Sequence, residues 1–405
     1  MSGIGRWLSI IGIGEDGLAG LSPAAHSLIT QASLVVGGQR HLALVADAVT
    51  GETLSWPSPP QAAFPAILGR RGAPVCVVAT GDPFFYGIGS LLARDVSPEE
   101  MICLPGASAF SLAASRLGWA LQDCALVTLH GRALERIIPY LQPRSRILAL
   151  SWDQTTPPAL AGLLTGYGFG GARLTVCEAM GGPRERLRNA SAGNFTLADI
   201  DPLNLVAVEI ADEARARVIP LAPGLPDAWF EHDGQLTKQD VRAVTLAALA
   251  PRRSELLWDV GAGAGSVGIE WMLSAPSNRA IAIERSALRA GRIARNAAAL
   301  GVPELSVVAG AAPDALRDLP RPDAVFIGGG ATASGVIDTA WAALSCGGRL
   351  VVNGITVETQ VELIHRFRTI GGSLKTIQIA RAGAVGGFYG MRPAMSVTQW
   401  CATKP

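Results

Sequence analysis

The residues with the clearest chemical potential are Asp259-Val260-Gly261-Ala262-Gly263-Ala264-Gly265-Ser266, which follow an apolar, strand-like run and open a helical one. Glycines at such a junction let backbone approach a ligand closely, and the first N–H groups of the helix remain available to it. The spacing is Gly-x-Gly-x-Gly, and Ser266 stands where a dinucleotide site carries its last glycine. A nicotinamide-dependent reductase is therefore disfavoured. Glu284 ends the next strand-like run 19 residues after Gly265, where a carboxylate can accept both hydroxyls of a ribose. Taken singly, the glycines also suit a tight turn with no ligand, and Glu284 a surface position.

In the first half, Thr80-Gly81-Asp82-Pro83-Phe84-Phe85-Tyr86-Gly87 follows one apolar run, and Leu104-Pro105-Gly106-Ala107-Ser108 follows the next. Gly-Asp-Pro alone is an ordinary turn tripeptide. Joined with Ile11-Gly12-Ile13-Gly14, Val36-Gly37-Gly38 and Leu129-His130-Gly131-Arg132, it resembles the tetrapyrrole methylase class of S-adenosylmethionine enzymes over about residues 6–210. That resemblance implies that Gly81, Asp82, Pro105, Gly106, Ala107 and Ser108 border a methyl-donor cleft, with the Gly14 turn facing the acceptor. Ala179-Met180 is then either an apolar wall for adenine or plain core.

The second half resembles the Rossmann-like S-adenosylmethionine methyltransferases. Thr237-Lys238, Gly261–Gly265, Ala311–Leu316 and Gly328–Gly330 narrow the likeness to the decarboxylating precorrin methyltransferase domain. The donor-binding residues implied are Asp259, Gly261, Gly263, Gly265, Glu284, Gly310 and Ala311. The family usually places an acid between the glycine and alanine after the third strand. Here the chain reads Gly310-Ala311-Ala312, so the adenine end must be held by backbone or another residue. Phe326-Ile327-Gly328-Gly329-Gly330 replaces the Asn/Asp-Pro-Pro-aromatic motif of enzymes that methylate base amines.

The order of the two halves resembles the fused C-methyltransferases of corrin biosynthesis. The resemblance implies S-adenosylmethionine as cofactor and a metal-free polycarboxylate tetrapyrrole as acceptor. The first half would methylate C5; the second would methylate C15 and remove CO2 from an acetate arm. Arg381 and Arg392, flanking a glycine-rich stretch, are candidates for the substrate carboxylates, and Tyr389 within it for a proton donor. A solvated or packed role stays open for each. Sulfonium donors are already activated, so no catalytic acid or base is singled out. An RNA methyltransferase and a donor-binding module without turnover are the rival readings. Homo-oligomers are common in both families.

The elements that must position these residues read as α/β throughout. The chain has 405 residues, 49% apolar and 17% charged, with a net charge of +1. That length favours two domains, and that charge offers no field for nucleic acid or an anionic membrane. Six scattered cysteines and five scattered histidines suggest neither metal site nor disulfide framework, and each cysteine reads as a small core residue. No run of 18 apolar residues occurs, and Leu8–Gly14 reaches glycines and acids before any cleavage pattern, so a soluble cytoplasmic protein is expected. The fold expected is a tetrapyrrole methylase fold of two α/β subdomains (residues 1–212), a proline-rich linker (213–235), and a Rossmann-like class I methyltransferase domain with a seven-stranded sheet (236–405). Strands are expected at Leu8–Ile13, Leu34–Val36, Val75–Ala79, Met101–Leu104, Leu126–Leu129, Ile147–Leu150, Leu174–Cys177 and Leu205–Ile210. In the second half they fall at Leu256–Val260, Ala280–Glu284, Leu305–Ala309, Ala324–Ile327, Leu350–Asn353, Leu374–Ala380 and Met395–Trp400. Helices start at Ser22-Pro23 and at Thr237, each with the hydroxyl residue as N-cap.

Overall fold

An apolar run with no polar face makes a strand buried on both sides, and Leu8–Ile13 (β1) is buried at every position. Leu8 and Ile10 enter one core, Ile11 and Ile13 the core on the opposite face. The computed structural model describes residues 5–211 and 216–405. Its contacts group the chain into two units: Met1–Leu134 with Gln142–Arg217, and Glu135–Leu141 with Val218–Pro405.

The first unit holds two sheets. Leu34–Gly37 (β2), Glu52–Ser55 (β3), Val75–Thr80 (β4) and Met101–Leu104 (β5) join β1 in the order β3-β2-β4-β1-β5, all parallel. Every strand therefore ends at the same edge, which is where open α/β sheets bind ligands. The second sheet comprises Cys124–Thr128 (β6), Arg146–Leu150 (β7), Arg173–Glu178 (β8), Arg186–Ser191 (β9) and Asn204–Glu209 (β10), ordered β6-β7-β10-β8-β9. Only β6 and β7 in it are parallel. Two strands, β3 and β9, were not expected from the sequence. Both are edge strands without a buried residue, so neither carries the apolar run that marks a buried strand.

In the second unit Leu256–Val260 (β11), Arg279–Glu284 (β12), Ser306–Ala309 (β13), Ala324–Ile327 (β14), Arg349–Gly354 (β15) and Ser373–Ile377 (β16) are followed by a ribbon, Ala380–Val385 (β17) and Phe388–Pro393 (β18), and by Val397–Thr403 (β19). The seven-stranded sheet runs β13-β12-β11-β14-β15-β19-β16, with β19 antiparallel to both neighbours. The ribbon stands apart as a two-stranded sheet, where the sequence marked only a glycine-rich stretch between Arg381 and Arg392. Ser22 caps its helix as expected, accepting from the Ala25 N–H at 3.2 Å. Thr237 does not: the helix is Gln239–Leu249 with Lys238 at the N-cap, and the Thr237 carbonyl accepts from Arg242 instead. Cys76 and Cys177 are buried, and burial pushes both thiols up to about 12; Cys346, against the core expectation, is exposed. No helix among the described residues is long and apolar enough to cross a membrane.

The proline-rich segment after Arg217 is held to the second unit by a buried ion pair. Glu270 accepts from Arg242 Nε at 2.5 Å and from the backbone N–H groups of Gly224 and Leu225 at 2.6 and 2.9 Å. Arg242 also bonds Asp227 and the Leu225 carbonyl and lies over the Phe230 ring. Further along, Asn296 bonds the backbone of Glu231 and the Ala264 carbonyl, tying the segment to the glycine turn. Removing one partner of a buried, hydrogen-bonded pair costs about 3–5 kcal/mol. Glu270→Ala is expected to lower the unfolding free energy of the second unit by that order, measured by urea titration, while Glu304→Ala, at an exposed pair, stays within about 0.5 kcal/mol.

Candidate active sites

In the second unit the glycine turn leaves the end of β11 and is sterically specified. Gly261, Gly263 and Gly265 have φ of +70°, +61° and +77°, the left-handed region that only glycine enters freely. A Cβ would lie 2.7 Å from the Gly329 carbonyl at Gly261, 2.8 Å from the Gln235 carbonyl at Gly263, and 2.7 Å from Ile293 at Gly265. The N–H groups of Gly261 and Ala262 both donate to the Ile283 carbonyl, fixing the turn against β12.

Glu284, at the end of β12, is buried. Its two oxygens accept the N–H groups of Gly263 at 2.9 Å and Ser286 at 3.0 Å. A carboxylate has about four acceptor positions, so capacity for a vicinal diol remains. Asp259 accepts the Gly268 N–H through Oδ2 at 2.9 Å, whereas its buried Oδ1 has no partner. Burial pushes its carboxyl up to about 7; the Gly268 N–H opposes this and the charge of Glu284 adds to it. After β13, Gly310 donates to the Glu284 carbonyl and Ala311 is exposed. The nearest acid in that turn, Asp314, is exposed and paired with Arg317. A left-handed glycine cradle beside a buried carboxylate with spare acceptor positions is a donor set that fits a nucleoside.

Arg381, Arg392 and Tyr389 lie on the ribbon rather than at these strand ends. Arg381 faces Arg392 directly across β17 and β18 and is paired with Asp240. Arg392 donates to the Ala384 carbonyl at 2.6 Å, and Tyr389 is 83% exposed.

In the first unit, three strand ends meet backbone to backbone. A Cβ on Gly12 would lie 1.8 Å from the Gly81 carbonyl and 2.3 Å from the Gly106 nitrogen. Gly106 donates to the Gly81 carbonyl and Gly81 to that of Ile13, both at 3.0 Å. Gly81 is left-handed and abuts Ala107 and Ser108. Asp82 accepts the Phe84 N–H at 2.8 Å, and Ser108 caps the helix Ala109–Leu117. Pro105 is exposed beside them. The expected residues are thus brought together in one cradle. Met180 is buried with Phe110, Leu148 and Cys177, as core.

Sequence reasoning missed a polar cluster at the same edge. Arg40, after β2, pairs with Glu15, after β1, and donates to Thr80 Oγ at 3.0 Å. His41 Nε2 lies 2.7 Å from the same hydroxyl, and burial with the charge of Arg40 lowers its pKa to about 4, so the imidazole is neutral. These residues come from three separate strand ends, and no local spacing could have joined them.

The chain thus comprises two α/β units, each with a glycine cradle at the carboxyl ends of parallel strands, and each is matched by a methyltransferase family model. Tetrapyrrole (Corrin/Porphyrin) Methylases match residues 8–196, and the Precorrin methyltransferase domain matches 228–404. The chain belongs to the family of precorrin-6Y C(5,15)-methyltransferases (decarboxylating). A member from Sinorhizobium sp is 53% identical over 401 residues, covering 99% of this chain and 97% of its own. One from Mycobacterium tuberculosis (strain CDC 1551 / Oshkosh) is 41% identical over 403 residues, covering 98% and 99%. The solved C-terminal domain of precorrin-6Y C5,15-methyltransferase from Rhodobacter capsulatus is 44% identical, covers 46% of this chain and 100% of its own, and superposes with a TM-score of 0.44.

The Asp259 carboxyl has a pH signature. A folded-state value of about 7 against roughly 3.9 in the unfolded chain means that only the folded protein keeps the proton between those limits. Wild-type stability should therefore fall relative to Asp259→Asn as pH rises from roughly 4 to 7, then level off. Urea unfolding of both proteins across that range tests it; a pH-independent difference would contradict it.

Proposed function

We propose that this chain methylates C5 and C15 of precorrin-6Y and removes CO2 from one acetate side chain, giving precorrin-8, with S-adenosylmethionine as donor at both sites. The observation that carries the reading is the pairing, in one chain, of two glycine cradles with the family membership. Bound there, S-adenosylmethionine would supply an already activated sulfonium methyl group. Glu284 would take the ribose hydroxyls with its remaining acceptor positions, and Gly261, Gly263 and Gly265 would offer backbone at contact distance. Gly310 and Ala311 would border the adenine through backbone. In the first half, Gly81, Asp82 and Pro105–Ser108 would do the equivalent work.

With an activated donor, the protein's main task is to align an electron-rich ring carbon with it. We assign C5 to residues 1–212, and C15 with decarboxylation to residues 236–405. Segment 213–235 joins them. In the decarboxylation, the bond between the acetate CH2 and its carboxyl carbon breaks, the pair delocalises into the macrocycle, and the exocyclic carbon takes a proton. Tyr389 is our candidate donor for that proton. Like charges directly opposite on a ribbon repel, so Arg381 and Arg392 favour an anion between them; we assign them to substrate carboxylates.

Mass spectrometry of precorrin-6Y incubated with the protein and methyl-labelled S-adenosylmethionine tests the reading. Two labelled methyl groups gained and one CO2 lost are expected; an unchanged mass would overturn it. Arg392→Ala should raise the KM for the tetrapyrrole roughly tenfold or more, since charged hydrogen bonds contribute about 1.5–3 kcal/mol, with kcat changed less.

A further inference from the structure

Large apolar side chains left exposed in the first unit are confined to one region. Among its described residues, those more than a third exposed are Phe84, Phe85, Tyr86 and Trp152, all aromatic. They sit on two loops: the one leaving β4 through Gly81-Asp82, and the one leaving β7. The topology brings these together. Tyr86 donates its hydroxyl to the Leu126 carbonyl of β6 at 3.3 Å, and β6 runs parallel to β7 with Thr128 beside Leu150. Trp152 follows two residues later and stacks on His130, which leaves β6, with ring centroids 5.3 Å apart.

The loop also holds an unfavourable backbone. Tyr86 has φ of +56°, unusual for a bulky side chain, and stays there through its hydroxyl bond and its stacking on Phe85 at 4.9 Å. Phe85 and Tyr86 both lean on the core ring of Phe110, at 5.1 and 6.2 Å. Phe84 at 44% exposure, Tyr86 at 56% and Trp152 at 58% keep ring surface in water. Arg40 is bonded to Thr80, just before Gly81-Asp82, and shares the Glu15 carboxylate with Arg184, which also pairs with Asp201.

We propose that Phe84, Tyr86 and Trp152 form a stacking platform for the conjugated face of the polycarboxylate tetrapyrrole at the first-unit site, with Arg40 and Arg184 meeting its carboxylates. This rests on the function proposed above. The occupant follows from two features: the aromatics continue directly from the donor cradle, and Arg40 and Arg184, although paired with Glu15 and Asp201, keep guanidinium surface exposed beside it. A planar conjugated ring with acidic arms satisfies both. Such a ligand would cover the ring surface that these aromatics still keep in water.

The test titrates the full chain with uroporphyrin, a planar octacarboxylate tetrapyrrole, and in parallel follows the two methyl transfers to precorrin-6Y. Phe84→Ala and Trp152→Ala should each weaken uroporphyrin binding roughly two- to tenfold. Each should also raise the tetrapyrrole KM of one methyl transfer while decarboxylation and S-adenosylmethionine binding hold. Trp152→Phe, which keeps a ring, should restore most of the loss and so separates stacking from misfolding. Unchanged binding and KM in both alanine variants would overturn the platform. So would a loss of self-association in these variants, read by sedimentation against the wild type, which would make the patch a contact between copies. Failure of the underlying function looks different: wild-type protein would transfer no methyl group, while the uroporphyrin titration would still report on the aromatics.

Discussion

The constraint on which both sites depend is the close approach of backbone to backbone at strand ends, tolerable only where no Cβ exists. At Gly12 a Cβ would sit only 1.8 Å from its nearest neighbour, far inside any real contact, and at Gly261 only 2.7 Å. Those clearances bring chain segments within hydrogen-bond range of one another, and they line the strand ends with peptide groups. Side chains then decorate those ends differently: Asp82 and Ser108 in the first unit, Asp259 and Glu284 in the second. The two units share the device and not the fold, since one sheet is wholly parallel and the other closes with an antiparallel pair.

Around the second cradle the supports are polar and buried. Asn296 links the glycine turn to the segment entering from the first half, while Glu270 and Arg242 clamp that segment further back. The cradle's Gly263 is pressed by the carbonyl of Gln235 in the same segment. The proline-rich stretch is thus part of the wall that shapes the site. Its prolines disrupt periodicity, which is why it reads as a bare linker in the sequence, although its backbone groups are satisfied by side chains far along the chain.

What was legible in the sequence was whatever is local and apolar. Strands buried on both faces, such as β1 and β11, announce themselves as short apolar runs, and positive-φ glycines show as glycines at a strand–helix junction. Edge strands β3 and β9 lack that signal, and the ribbon β17–β18 is too exposed to show alternation. The first helix start followed from Ser22-Pro23, but Thr237 misled: the helix opens one residue later, with Lys238 at the cap, and the Thr237 carbonyl serves Arg242. Within the sites, Glu284 could be found by distance from the glycines. The Glu15–Arg40–His41–Thr80 cluster could not, because its members are neighbours only after three parallel strands have aligned their ends.

The central claim is that each half carries its own complete donor cradle. Calorimetric titration of the whole chain with S-adenosylmethionine tests it most directly. The account predicts two donors bound per chain in the wild type and one in Gly263→Val, whose side chain would meet the Gln235 carbonyl in a backbone conformation valine avoids. A single donor per wild-type chain, or loss of both from that one substitution in folded protein, would contradict it.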